Sequence, residues 1–421
     1  MGAATAGAAA VAAAEAEARR IEAPPARIEP LAVRAFGVVS AAGIGQQALL
    51  GALREGRSAL RANDFGTPRL PTWIGRVDAI EATALPEALR RWDSRATRLA
   101  WLGLQADGFA GHARDAIARH GAARVGLALG TSASTIGVTE EAYRGLVDGG
   151  FPPALADARL NTPHALAMFV AEALGLAGPA VTVSTACSSS AKVFALAERW
   201  LRLGLVDAVV VGGVDALCGS LLYGFHALGL VSDAPCRPFD REREHERKGI
   251  SLGEAAGFAL LERGRGALEL VGHGEASDAF HMSSPHPEGL GAERALDAAL
   301  ARAGLAAADI DHVNLHGTAS AKNDEVEAAL VQRRYGPRTL ASATKGLTGH
   351  TMGAAGIVEA AICLLALREC FVPGSAPTTA PELLPALVLA PRAAALRTAA
   401  SHSFGFGGSN AVLVFARGDA A

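Results

Sequence analysis

Short apolar runs alternate with longer segments of helical spacing from about Leu31 onward, and this alternation restricts the choice of fold. The apolar runs end in Gly, Ser or Thr, which is typical of strands buried on both faces of a sheet. The segments between them are rich in Ala, Leu, Arg and Glu, which favour helices. The order of the elements therefore predicts an α/β fold built in layers. The candidate strands are residues 124–129, 180–183, 208–211, 312–315 and 412–415.

A weak internal repeat indicates two similar halves, residues 31–268 and 269–418. VGLALGTS at 125–132 resembles VNLHGTAS at 313–320. In each string an apolar strand is followed directly by Gly-Thr. Two further pairs are similar in layout: VTVSTACSSSAKVFALAERWLRLG with LASATKGLTGHTMGAAGIVEAAICLLALR, and DAVVVGGVDAL with SFGFGGSNAVLVF. Chance similarity in a chain with 48 Gly is the alternative. All three pairs keep the same order, which favours the repeat.

Composition excludes several classes of protein. A formal charge of -3 over 421 residues provides no field for binding nucleic acid or an anionic membrane. The apolar stretch 354–367 is interrupted by Glu359 and is shorter than the roughly 20 residues of a membrane span. Five cysteines without a CxxC pair argue against both a disulfide framework and a zinc site. We expect a cytoplasmic protein with no membrane span and no metal.

The Ala-rich first 30 residues lack the basic start and Leu-rich middle of a signal peptide. They predict a flexible or helical extension with no catalytic role. The charged segment 241–248 predicts an exposed loop, for which solvation is the simpler explanation and contact with an acidic partner protein is the alternative.

Cys187 is the candidate nucleophile. It follows a strand of β-branched residues and precedes a pattern with Phe194, Ala197 and Leu201 on one face, so it lies at the start of a helix that should end near Leu203. The unpaired amides at a helix start stabilise a thiolate, which predicts a lowered thiol pKa. The same amides can bind the oxygen of a tetrahedral intermediate. A structural cysteine remains the alternative for an isolated thiol.

Two histidines occupy matching positions in the second half. His316 follows the strand at 312–315 directly, so its side chain should emerge at the carboxyl end of that strand, where α/β sheets gather ligands. His350 lies in KGLTGHTMGAAGIVEAA, a Gly- and Ala-rich helix start that permits close approach of the backbone. Each could be an ordinary buried histidine, but both lie at strand-helix junctions in the half that mirrors Cys187.

With these residues in place, the chain resembles the β-ketoacyl-acyl carrier protein synthases, members of the thiolase-like condensing enzymes, over about residues 31–418. The resemblance rests on an ordered set of motifs: TACSSS at 185–190, RPFD at 237–240, GEAAG at 253–257, HGT at 316–318, ND at 323–324, KGLTGHTMGAAG at 345–356 and FGFGGSN at 404–410. It implies a thiolase-like fold with two pseudo-repeated halves in five layers, α-β-α-β-α. Three segments, GISLGEAAGFALLE, NTPHALAMFVAEALGL and STACSSSAKVFALAERWLRLG, are most similar to condensing enzymes of bacterial aryl-polyene pigment clusters. Fatty acid elongation is the alternative pathway.

The resemblance also implies roles for single residues. Cys187 would accept the acyl group, His316 and His350 would assist decarboxylation and condensation, and the Lys345 and Glu359 ion pair would order this region. Phe406 would be the gate residue, and its amide would form the oxyanion hole with that of Cys187. The implied substrate-binding residues are Thr318, Ser320, Phe404, Gly405 and Gly407. Ser320 stands where a second Thr is common, which puts one contact to the phosphopantetheine arm in doubt.

The implied partners are an acyl carrier protein, whose phosphopantetheine carries the substrates without a further cofactor, and a second subunit in a homodimer or heterodimer. A degradative thiolase would need a second cysteine in SHSFGFGGSN, which has none. An initiating synthase of the Cys-His-Asn type would lack the context of Lys345 and His350. A non-catalytic chain-length subunit is the remaining alternative, and the presence of Cys187 argues against it.

Overall fold

The computed structural model describes residues 26–146, 150, 158–240, 249–381 and 383–418. Most of the expected N-terminal extension and the charged segment 241–248 therefore lie outside the described residues. The strands are β1 Leu31–Ser40, β2 Gly43–Ile44, β3 Arg61–Ala62, β4 Trp73–Gly75, β5 Val125–Gly130, β6 Ala180–Val183, β7 Ala208–Asp215, β8 Leu252–Gly253, β9 Ala255–Arg263, β10 Leu268–Ser277, β11 His312–Asn314, β12 Leu340–Ser342, β13 Phe371–Val372, β14 Arg392–Ala393, β15 Thr398–Gly405 and β16 Ser409–Arg417.

Helices connect these strands. They are α1 Gln46–Glu55, α2 Ala79–Ala82, α3 Arg95–Gln105, α4 Phe109–His120, α5 Ile136–Arg144, α6 Ala165–Leu174, α7 Ser189–Arg202, α8 Gly219–Ala227, α9 Leu290–Ala303, α10 Ala321–Arg334, α11 Lys345–Thr348 and α12 Ala355–Glu369. All five candidate strands are found: β6 has the expected bounds, and the other four lie within four residues of theirs. Helix α7 ends at Arg202, close to the expected Leu203, because Gly204 adopts a left-handed backbone with φ 68°.

Two large sheets share one topology. The order is β2-β1-β9-β7-β5-β6 in the first and β10-β16-β15-β11-β12 in the second. In the first sheet β5 is parallel to β6 and β7, whereas β9 is antiparallel to β7 and β1. The second sheet repeats this pattern, with β11 parallel to β12 and β15, and β16 antiparallel to β15 and β10. The predicted fold class is confirmed, while the boundaries of the halves stay a prediction.

Helices α7 and α12 form the layer between the two sheets. Residues 355–367 of α12 are all buried, as expected for a helix that is covered on every side. The helices are in close contact, since a Cβ placed on Gly356 would lie 2.4 Å from the backbone nitrogen of Ala191. Helices α3, α4 and α6 pack on the outer face of the first sheet, and α9 and α10 pack on that of the second. This gives the five layers α-β-α-β-α.

Within the described residues, no helix is both long enough and apolar enough to cross a bilayer. All five cysteines are free thiols: four are buried, and Cys370 is partly exposed.

Candidate active site

The sulfur of Cys187 lies in the turn between β6 and α7, two residues before the helix begins. The preceding Ala186 has a left-handed backbone with φ 54°, so the chain bends sharply here, as the small residues around it predict. The thiol is buried, with 4% of Cys187 exposed.

Burial raises the pKa of the Cys187 thiol to about 12, and the charge of Lys345 and the backbone amide of Phe406 oppose this only in part. The expectation of a lowered thiol pKa is therefore wrong. Removal from water outweighs the amides at the start of α7. The resting sulfur carries its proton, so a neighbouring base must take that proton before the sulfur can attack.

His350 supplies that base. Its Nε2 lies 3.0 Å from the sulfur of Cys187, and only 1% of the residue is exposed. The backbone is fixed on both sides, because the His350 amide donates to the carbonyl of Ser251 and the Gly253 amide donates to the His350 carbonyl. Burial, assisted by the charge of Lys345, holds the pKa of the His350 imidazole well below 6.5, so the ring is neutral.

His316 lies two residues after the end of β11, and its ring stands edge to face with that of His350, with 5.4 Å between the ring centroids. Nζ of Lys345 lies 3.3 Å from Nδ1 of His316. An ammonium can only donate, so Nδ1 accepts and the neutral ring carries its proton on Nε2. Burial and then the charge of Lys345 hold the pKa of His316 well below 6.5. His316 can therefore donate a hydrogen bond without being a cation.

The ammonium of Lys345 is itself held by Glu359, and both side chains are 3% exposed. Ser403 donates to the same carboxylate at 3.4 Å. Burial raises the pKa of Glu359 to about 7, against the effect of Lys345. The ion pair expected at these two positions is present. By holding the ammonium of Lys345 beside Nδ1 of His316, it selects the tautomer of His316 that carries its proton on Nε2.

Cys187, His316 and His350 line one cavity of about 380 Å³. The wall also includes Thr318 and Ser320, whose hydroxyls lie 3.0 Å apart, and Phe404, Gly405 and Phe406. Gly407 does not line the cavity, and its amide donates to the carbonyl of Met282. The structure thus brings together all the expected site residues except Gly407 and the Lys345 and Glu359 pair, which lies behind His316.

Comparison with known proteins identifies the family. The model of the β-ketoacyl synthase N-terminal domain matches residues 93–267, and that of the C-terminal domain matches residues 268–379. The chain belongs to the β-ketoacyl synthase family. As a β-ketoacyl synthase it is a condensing enzyme of the acyltransferase class.

Curated relatives of this synthase include nodulation protein E of Rhizobium meliloti (strain 1021), 37% identical over 70% of this chain and 76% of the relative. The 3-oxoacyl-[acyl-carrier-protein] synthase 2 of Vibrio cholerae is 34% identical over the same shares. Among solved structures, the ketosynthase ApeO in complex with its chain length factor ApeC from Xenorhabdus doucetiae superposes with a TM-score of 0.82. It is 35% identical over 92% of this chain and 98% of that one. The ishigamide ketosynthase/chain length factor has a TM-score of 0.80 at 27% identity, covering 92% and 99%.

Several residues of the synthase site were not expected from the sequence. Phe225 on α8 stacks on Phe406, with ring centroids 5.5 Å apart. Glu327 on α10 accepts the backbone amides of His316 and Gly317 at 2.7 and 2.8 Å. Neither lies in a motif with distinctive spacing. Asp324 was part of the ND motif, but its contact was not expected: it accepts the amide of Phe239 at 2.7 Å and so joins the start of α10 to the loop that carries Phe239.

Asp215, at the end of β7, was also missed. Its carboxylate is fully buried and accepts four hydrogen bonds, from Oγ1 of Thr131 and the amides of Ser132, Ala133 and Gly353, at 2.7–2.9 Å. It therefore joins the loop after β5 to the turn that follows His350.

Replacing Asp215 with alanine is expected to lower the free energy of unfolding by about 3 kcal/mol, because four buried donors lose their acceptor. Urea unfolding measures this loss. The exposed Asp115 on α4 is the matched control, and its alanine variant should lie within about 0.5 kcal/mol of the wild type. Equal effects of the two substitutions would contradict the bridging role.

Proposed function

We propose that this β-ketoacyl synthase condenses malonyl-acyl carrier protein, with loss of carbon dioxide, with an acyl group held on Cys187, during chain elongation of a fatty acid, polyketide or polyene. The observation that carries the proposal is the 3.0 Å contact between the Cys187 sulfur and Nε2 of His350 in a cavity that His316 also lines. The substrates arrive on the phosphopantetheine of the carrier, so the reaction needs no bound cofactor. Thr318 and Ser320 in the cavity wall are suited to bind the amides of that arm.

Acyl transfer to Cys187 is the first half of the reaction. Nε2 of His350 takes the thiol proton as the sulfur attacks the thioester carbonyl of the acyl carrier. The amides of Cys187 and Phe406 stabilise the oxyanion, and the Phe406 amide is already close enough to the sulfur to oppose the rise of its pKa. The intermediate collapses to acyl-Cys187 as the carbon-sulfur bond to the carrier breaks, and the carrier sulfur takes the proton that His350 held and leaves as a thiol.

Decarboxylation begins the second half. Malonyl carrier enters the same cavity, and the N–H groups of His316 and His350 donate to its thioester oxygen as carbon dioxide departs. Both rings are neutral, so they stabilise the enolate without a fixed charge that would trap the malonyl carboxylate. In the described residues Nδ1 of His350 has no hydrogen-bond partner, so no such contact fixes which nitrogen carries the proton. Nε2 of His350 can thus accept the thiol proton during acylation and donate a hydrogen bond during decarboxylation.

Condensation completes the cycle. The enolate carbon attacks the carbonyl carbon of acyl-Cys187, and a carbon-carbon bond replaces the carbon-sulfur bond. The thiolate of Cys187 leaves and takes a proton that solvent supplies, and the β-ketoacyl group remains on the carrier that brought malonate. Both half-reactions use one cavity in turn, which is a ping-pong sequence.

Acylation of Cys187 is expected to be almost independent of pH between about 6.5 and 8.5. The thiol pKa lies above this range and the His350 pKa lies below it, so the neutral pair is the reacting form throughout. The rate of adduct formation by quenched-flow mass spectrometry measures this. In a His350→Ala variant the base is lost, and the remaining slow rate should rise about tenfold per pH unit with the thiolate fraction. A tenfold slope in the wild type would show that His350 does not take the proton.

We further propose that the synthase acts with a second, related subunit. Strand β6 lies at the edge of the first sheet with Val181 37% exposed, which leaves a side for another chain. Two of the similar structures are ketosynthases with a chain length factor, which supports a heterodimer, and a homodimer is the alternative. Five free thiols suit a reducing compartment, and we propose the cytoplasm.

A condensation assay tests the function. The purified chain, alone and with candidate partner chains, is given malonyl carrier and a panel of acyl, polyenoyl and aryl carriers, and the β-ketoacyl carrier is measured by intact mass. We expect product with at least one primer class. Absence of decarboxylation and of product in every combination would favour the alternative, a non-catalytic chain-length subunit.

A further inference from the structure

The proposed oxyanion hole is assembled from two separate segments of the chain. The amide of Cys187 belongs to the turn between β6 and α7, and the amide of Phe406 belongs to the turn between β15 and β16. The two turns are in direct contact, since a Cβ on Gly405 would lie 2.9 Å from the carbonyl oxygen of Thr185. Their relative position decides whether both amides can point at one oxygen.

Two side chains at the start of α7 contact Ser409, which lies at the end of the second turn. Nζ of Lys192 donates to Oγ of Ser409 at 2.6 Å, and Oγ of Ser188 lies 3.3 Å from the same oxygen. Ser188 follows the nucleophile directly, and Lys192 lies on the first turn of the helix behind it. Ser409 is thus joined to the backbone that carries Cys187.

The environment of Lys192 indicates a structural hydrogen bond, and differs from that of a solvated lysine on the surface. The residue is partly buried, and among the described residues its ammonium forms no ion pair within 4 Å. Burial lowers the pKa of Lys192, with Glu275 acting in the opposite direction. A partly buried ammonium loses hydration, and its hydrogen bond to Ser409 offsets part of that cost. Such a charge-assisted bond is also stronger and shorter than one between neutral groups.

We propose that Lys192 is a positioning residue of the oxyanion hole: through Ser409 it holds the turn with the Phe406 amide against the turn with the Cys187 amide. This inference rests on the proposed function. The proposed role of Lys192 predicts different effects on the two halves of the reaction. Acyl transfer to Cys187 uses both amides, whereas decarboxylation of malonyl carrier by the unacylated chain uses the imidazoles of His316 and His350.

Lys192→Met tests the proposal, because it keeps the apolar stem and removes the donors. We expect the rate of acyl-Cys187 formation to fall about tenfold or more, with decarboxylation of malonyl carrier within about twofold of the wild type. Ser409→Ala should show the same split, and the double variant should be no slower than either single one. Ser409→Thr keeps the acceptor hydroxyl and should retain most of the acylation rate.

The outcomes are distinct. An unchanged acylation rate in Lys192→Met would overturn the inference, and so would an equal fall of acylation and decarboxylation together with a lower melting temperature, which indicates general loss of structure. The wild type is measured in the same assays. If the wild type forms no acyl-Cys187 and releases no carbon dioxide, the proposed function itself has failed, independently of Lys192.

Discussion

Cys187→Ala is expected to abolish both the acyl adduct and the condensation product, a loss of at least about 10⁴-fold in condensation rate. Among the described residues that line the cavity, Cys187 provides the only thiol, and its sulfur lies 3.0 Å from Nε2 of His350. Without it the acyl group cannot leave its carrier. Intact-mass spectrometry after incubation with acyl carrier measures the adduct, and the same samples report the β-ketoacyl product.

Two controls sharpen this prediction. Cys187→Ser keeps a nucleophile of similar shape but weaker nucleophilicity, so we expect a slow adduct and little product. Cys370→Ala removes the half-exposed thiol at the end of α12 and should leave the adduct of the wild type unchanged. An adduct of full size on the Cys187→Ala chain would show that another residue accepts the acyl group.

His316→Ala is expected to lower decarboxylation of malonyl carrier by about 10²-fold or more while acyl-Cys187 still forms. The reason is the geometry behind the ring: Lys345 fixes Nδ1 as acceptor, so Nε2 presents a proton toward the cavity. His350, not His316, contacts the sulfur, so acylation keeps its base. Release of labelled carbon dioxide measures the first quantity, and intact mass measures the second.

The exposed His112 on α4 provides the control, since His112→Ala should change neither quantity. Loss of acylation in His316→Ala, with decarboxylation retained, would reverse the roles of the two histidines. Loss of both with an unchanged melting temperature would mean that the two steps are not divided between the rings in this way.

Local features of this site could be predicted from the sequence because they depend on backbone periodicity. The strand, small-residue turn and apolar-faced helix around Cys187 appear within a single stretch of chain, and so does the strand before His316. The end of α7 could also be predicted, because Gly204 favours the left-handed backbone that terminates a helix. The two-sheet architecture followed from the repeated order of strands and turns together with the family resemblance.

Contacts between distant segments could not be predicted in this way. Asp215 accepts bonds from residues more than 80 positions before it and 138 after it, and Lys192 reaches a serine 217 positions away. No local pattern in the sequence encodes such pairs. The pKa of Cys187 was wrongly expected to fall because a helix start favours a thiolate, whereas the depth of burial, which opposes it, is known only once the chain is folded.

A single-turnover experiment on the preloaded enzyme tests the central proposal most directly. The chain is acylated, separated from free carrier and mixed with malonyl carrier, and then carbon dioxide, β-ketoacyl carrier and acyl-enzyme are counted per site. We expect one carbon dioxide and one β-ketoacyl carrier for each acyl group lost from Cys187, with the free thiol restored. Release of carbon dioxide while the acyl group stays on the chain would contradict condensation in this cavity.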